Sequence, residues 1–139
     1  MAVTATPVFI QTPKNTQITI VNADASGQKV VCTAGANGSK VVALQLCSDD
    51  TSSRIIQVVI KRSGTSILVG SVSVPTLAGT DGSAAAVNAL NTTIMPGLPR
   101  DNDGQPYILL VSGDTLEIKS TTTVTAGKTV SATCIHGDF

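Results

Sequence analysis

The sequence predicts an all-β fold, an antiparallel β-sandwich of about eight strands with one long loop carrying a short helix. Three observations carry this. Val, Ile and Thr together supply 46 of the 139 residues, whereas Glu occurs once and Met twice. β-branched side chains lose freedom in a helix and pack well on a pleated sheet. Apolar residues alternate with polar ones over short runs, and Gly/Asn/Asp/Ser turn signals separate those runs. A mass of 14.1 kDa is enough for one hydrophobic core without staples.

Residues 1–15 hold two prolines and an apolar knot, Val8-Phe9-Ile10. They read as an extended N-terminal arm or an edge strand, followed by one sandwich domain over 16–139. Thr16 to Asn22 alternates, with Ile18 and Ile20 on one face. Lys29 to Ala34 presents Val30, Cys32 and Ala34 on one side. Gly35-Ala36-Asn37-Gly38 reads as a hairpin turn with positive φ at Asn37 and Gly38. Ser39 to Ser48 returns with Val42, Leu44 and Leu46 inward.

Arg54 to Arg62 points Ile56, Val58 and Ile60 to one face, leaving Ile55 and Val59 on the other. Ser63-Gly64 is a second two-residue hairpin turn, and Thr65 to Val74 runs back. The segment 76–106 is rich in Gly, Ala, Asn and Pro, and a loop of this length crosses an end or a face of a sandwich. Its middle, Ser83 to Leu90, is the one helical piece, about two turns long. Tyr107 to Val111 and Leu116 to Ser120 form an antiparallel pair around Ser112-Gly113-Asp114. Thr129 to His136 is the last strand, with Val130, Ala132 and Cys134 inward.

Nine basic and nine acidic residues cancel, so no positive field draws the chain onto nucleic acid or anionic lipid. Three aromatic residues give no stacking platform for bases or sugars. No apolar run of membrane-spanning length occurs, and no signal peptide is visible. Cys32, Cys47 and Cys134 match no zinc spacing and read as apolar fillers in a reducing cytoplasm. His136, the one histidine, shares a strand face with Cys134, but that pair supplies two ligands where zinc wants three or four. No metal or cofactor is expected. Asp101-Asn102-Asp103-Gly104 lacks the closing carboxylate of a calcium loop and reads as an Asx-closed turn. No nucleophile motif or phosphate loop is present, so no catalytic residue is assigned and the chain reads as a non-enzyme.

Three features point outward: the knot Val8, Phe9 and Ile10; the second face of residues 54–62 with Ile55 and Val59; and the terminal Phe139. Together they mark candidate partner contacts.

Several phrases resemble a family of small virion proteins of tailed bacteriophages, encoded near the major capsid protein. They are CTAGANGSKV (32–41), AVNALN…MPGLPRDNDGQPYILL (86–110), SGDTLEIK (112–119) and TAGKTVSATCIHGDF (125–139). The family's Gly-Gly-Asp ending stands here as His136-Gly137-Asp138. The resemblance implies a jelly-roll capsid decoration, or cement, protein on the outer capsid surface of the virion, made in the host cytoplasm. Its implied partners are the major capsid protein and itself, as a homodimer or a trimer. A neck, tail or head-fibre component is the alternative within the virion. A carbohydrate-binding sandwich is the alternative from another class, and the shortage of aromatics speaks against it.

Overall fold

The computed structural model describes residues 9–139. The described residues form nine strands: β1 (Thr12–Val21), β2 (Lys29–Thr33), β3 (Ser39–Ser48), β4 (Arg54–Arg62), β5 (Thr65–Val74), β6 (Val87–Asn88), β7 (Ile108–Leu110), β8 (Thr115–Ser120) and β9 (Thr129–Asp138). One sheet has the order β1-β9-β3-β6, with β7 also paired to β3; the other has the order β2-β8-β4-β5. Every strand pairing is antiparallel. We call them sheets A and B. Their inner faces share one core, with Ile20, Leu44, Leu46 and Val130 from sheet A and Ile56, Val58, Val72, Leu116 and Ile118 from sheet B.

Several local expectations need correction. β1 starts at Thr12, so residues 12–15 belong to the sheet rather than to the arm; Pro13 is tolerated because β1 is an edge strand. The run 83–90 is not helical. Val87 and Asn88 pair with Leu46 and Gln45, and the Ala89 N–H donates to the Leu44 carbonyl. Two uncapped turns of helix are marginal in water, whereas the free side of β3 satisfies this backbone directly. That short strand also raises the number from the expected eight to nine.

Three register shifts interrupt the ladders; the one between Val58 and Val59 leaves Val69 of β5 as the extra residue, and the other two change which valines face the core. The register shifts between Val30 and Cys32 and again between Val41 and Ala43. An extra residue in one strand turns the following side chains to the opposite face. Val31 and Cys32 therefore both point inward and Val30 is exposed; Val41 is buried and Val42 is exposed.

Gly35 to Gly38 is a turn, closed by the Gly38 N–H on the Gly35 carbonyl, but not a hairpin. β2 lies in sheet B and β3 in sheet A, so this turn is a corner between sheets. Gly38 has φ 91°, whereas Asn37 is not in the positive region. Residues 107–111 and 116–120 are likewise not partners: β7 joins sheet A and β8 joins sheet B. Ser63-Gly64 is the tight hairpin expected, with φ 50° and 81° at its two residues, and it joins β4 to β5.

The segment between β5 and β7 leaves the edge of sheet B and reaches the β3 side of sheet A. On the way it buries Ala78, Ala89, Leu90 and Met95 in the core. Met95 lies against Gly70 of β5, where a Cβ would stand 2.7 Å from its Cγ. The turn at Asp101 is closed by its own Oδ1, which accepts from the Asp103 and Gln105 N–H groups.

The two arginines ending β4 fasten it at both ends. Arg54 donates to Asp50 at 2.7 Å, and Arg62 donates twice to Asp114, each at 2.7 Å. Both aspartates are fully buried. Asp50 also accepts from Ser52 N–H and from the N–H and hydroxyl of Thr125, in the run leading into β9. These hydrogen bonds outweigh burial and hold its carboxyl far below the usual range. For Asp114 the Arg62 guanidinium is the main cause of a lowered pKa.

Candidate functional site

The predicted partner contacts fall into different places. Val8 lies outside the described residues. Phe9 is 69% exposed. Ile10 lies over Gly137, where an added Cβ would strike its side chain. In β9, Ile135 and Gly137 alternate with the inward-facing Cys134, His136 and Asp138, so Ile10 covers the outer face of sheet A. Ile135 is exposed on that same face, beside Ala43. In the neighbouring row Lys40 stands between Gly137 and Leu109, and Leu109 is exposed. Ile10, Ile135 and Leu109 are thus apolar side chains on one outer face, with Lys40 standing between the Ile10 position and Leu109.

Sheet B carries a second outward row. Val30, Glu117, Val59 and Leu68 stand in register across its four strands. Val30 and Leu68 are about half exposed, while Val59 is only 4% exposed. Val59 is therefore not an available contact: it lies mid-sheet, flanked by Glu117 and Leu68. Ile55, nearer the end of β4, is exposed. Phe139 is half-buried, its backbone held by the corner turn through Gly38 O and Asn37 Nδ2.

Sequence reasoning missed a third region. His136 and Cys134 face inward on β9, as their spacing predicts. The bulge in β2 turns Cys32 inward from the opposite sheet. One ligand atom from each of Cys32, Cys134 and His136 lies within 4.8 Å of the others, and all three residues are buried. The count of two ligands read from the sequence is thus short by one. Only the packing of β2 against β9 across the core supplies the third.

The surroundings of this cluster are polar on one side. Thr16, opposite Cys134 on β1, donates its hydroxyl to the Val31 carbonyl at 2.8 Å. Its oxygen is 3.3 Å from His136 Nε2. With that hydroxyl proton committed to Val31, the oxygen is left to accept from Nε2–H. The other ring nitrogen, Nδ1, is buried without a hydrogen-bond partner. Burial holds the imidazole pKa below its ordinary value. The two thiols lie close together; the nearness of Cys32, with burial adding to it, pushes the pKa of Cys134 up, while the same pairing lowers that of Cys32. Next to the cluster Asp138 accepts from Ser39 at 2.5 Å and pairs with Lys14 at 2.6 Å. Gly35 is required there, because a Cβ would come within 2.6 Å of the Asp138 carboxyl.

A groove of about 580 Å³ lies along the long segment, bounded by Pro75, Ala86, Asn91 and Gln105, with no ionisable side chain in its wall. It offers no acid, base or nucleophile.

No protein-family model matches the chain, and no curated protein matches it in sequence. Two solved structures are similar in outline. The Drosophila NLP-core, described for pentamer formation and histone binding, aligns at 13% identity with a TM-score of 0.44, over 90% of this chain and 95% of its own. The Cyanophage Pam1 capsid asymmetric unit aligns at 15% identity with a TM-score of 0.46, over 97% of this chain and 91% of the matched one.

Proposed function

We propose that this chain is a capsid decoration protein of a tailed phage, binding major capsid subunits on the outer shell and stabilising their contacts. The sequence phrases that resemble small virion proteins motivate the reading. The observation that carries it is the set of outward apolar side chains on sheet A, Ile10, Ile135 and Leu109, with exposed Phe9 next to Ile10 in the chain. Burying a side chain such as Phe9 against a partner contributes roughly 1.5–3 kcal/mol. Modest energies of this kind suffice when copies repeat over a lattice that holds them together.

The strand order supports reading the sandwich as a jelly roll. β6 and β7 both pair with β3 and act as one interrupted strand, giving two four-position sheets linked by crossings from sheet to sheet. Such a frame is rigid, and the proposal gives it no catalytic role and no cofactor. Self-association as a homodimer is part of the same reading, because among the described residues β5 pairs only with β4 and its other edge has no strand partner.

Co-sedimentation with undecorated shells tests the reading. The full chain should pellet with shells at a stoichiometry near one per capsid subunit. A variant lacking residues 1–9, or carrying Ile135→Asp, should keep its circular dichroism spectrum and lose most of that binding. Undiminished binding by both variants would reject these contacts, and a few copies per particle would favour a neck or tail component.

A further inference from the structure

We propose that Cys32, Cys134 and His136 form a zinc site that ties the two sheets together along the open β1–β2 side of the sandwich. The inference is independent of the capsid reading. Two thiolates and an imidazole are a donor set suited to zinc. The three ligand atoms already stand within 4.8 Å of one another. Zn–S bonds of about 2.3 Å put tetrahedral ligand atoms roughly 3.4–3.8 Å apart, so small side-chain adjustments close the site.

The imidazole is the second, separate observation. His136 is 4% exposed, yet its Nδ1 has no hydrogen-bond partner and its Nε2 has only the 3.3 Å contact to Thr16. A buried nitrogen left bare costs free energy unless something takes its lone pair. Thr16 serves as the outer support: it accepts from one ring nitrogen, fixes the tautomer, and is itself fixed by Val31.

The charges balance. Binding breaks two S–H bonds, releases two protons to solvent, and forms two Zn–S bonds and one Zn–N bond. Zn²⁺ with two thiolates carries no net charge, so the interior holds no unpaired ion. Water completes the fourth position. Because Cys32 lies on β2, an edge strand of sheet B, and the other two ligands on β9, an inner strand of sheet A, the ion cross-links two strands that no backbone ladder joins.

The test uses the full chain, purified under reducing conditions, freed of metal by a chelator and titrated with Co²⁺ and then Zn²⁺. One equivalent of Co²⁺ should give a thiolate-to-cobalt charge-transfer band that Zn²⁺ abolishes. Zinc should raise the melting temperature, and unbuffered titration at neutral pH should release about two protons per ion. Cys32→Ser and His136→Asn should each weaken affinity by more than about 100-fold, beyond the cost of losing a supporting group. Cys47→Ser should leave it unchanged. Folded wild-type protein with no charge-transfer band and no zinc-dependent melting shift overturns the site. So does a Cys32–Cys134 disulfide in protein kept reduced, or a band that survives loss of Cys32 and His136 but vanishes with Cys47.

Discussion

Replacing Asp50 with Asn removes a charge from the most heavily bonded carboxylate of the fold. Asp50 is fully buried, and the Arg54 side chain paired with it is 11% exposed. Removing one partner of a buried pair costs about 3–5 kcal/mol, because the other charge is left without compensation. Arg54 keeps two threonine acceptors, Thr122 and Thr125, so the lower end of that range applies, about 3 kcal/mol. For a chain of this length the unfolding entropy converts that into a drop in melting temperature of about 10 °C. The pH dependence separates charge from packing. The folded pKa of Asp50 lies below its unfolded value, so its contribution is complete above about pH 5 and is lost as pH falls through the unfolded and then the folded value. The gap between wild type and Asp50→Asn should be constant from pH 6 to 8 and should shrink below about pH 4. Calorimetry across that range is the assay. A melting difference under about 2 °C at pH 7, or a gap that does not change with acid, would show that the ion pair is not what holds this corner.

Gly38→Val should cost more than about 2 kcal/mol, since φ is 91° and a Cβ would approach the Leu110 carbonyl to 2.7 Å; urea unfolding measures it, and a neutral result would contradict the corner geometry. Met95→Ala should destabilise by about 2–3 kcal/mol through the cavity it leaves beside Gly70. Gly70→Ala should be harmful alone yet nearly harmless beside Met95→Ala, and a double-mutant cycle showing simple additivity would mean the two do not touch. Deleting residues 1–9 should change the melting temperature by less than about 3 °C, because β1 begins at Thr12; a larger loss would make Phe9 part of the fold.

Much of the β architecture was legible because alternation and turn chemistry are local signals. Ile18 and Ile20, Leu44 and Leu46, and Ile56 and Val58 all face the core as their spacing predicts. Ser63-Gly64 gave its hairpin for the same reason. The failures come from non-local causes. Val30 and Val42 were placed inward because alternation carries no mark of a bulge, and each bulge depends on the partner strand. Ser83 to Leu90 has helical composition, but the unpaired side of β3 offered its backbone a better set of hydrogen bonds. The Gly35–Gly38 turn has hairpin chemistry, which cannot tell a turn within a sheet from a corner between two. The candidate metal site was half visible, since Cys134 and His136 share a strand. Cys32 could be added only by knowing that β2 faces β9 across the core.

The strand order has a consequence for how the chain acquires its structure during synthesis. Among the described residues β1 pairs only with β9, and β2 only with β8. β4 and β5 form the one strand pair joined by a tight turn; the other pairings of the early strands wait for residues 87–138. A nascent chain emerging from the ribosome must therefore hold β1, β2 and β3 without their permanent neighbours until β8 and β9 insert as the inner strands. Folding dominated by such distant pairings is slow, and unpaired edges recruit other chains while they wait. The β4–β5 hairpin, ready first, is the natural template onto which β8 and then β2 assemble.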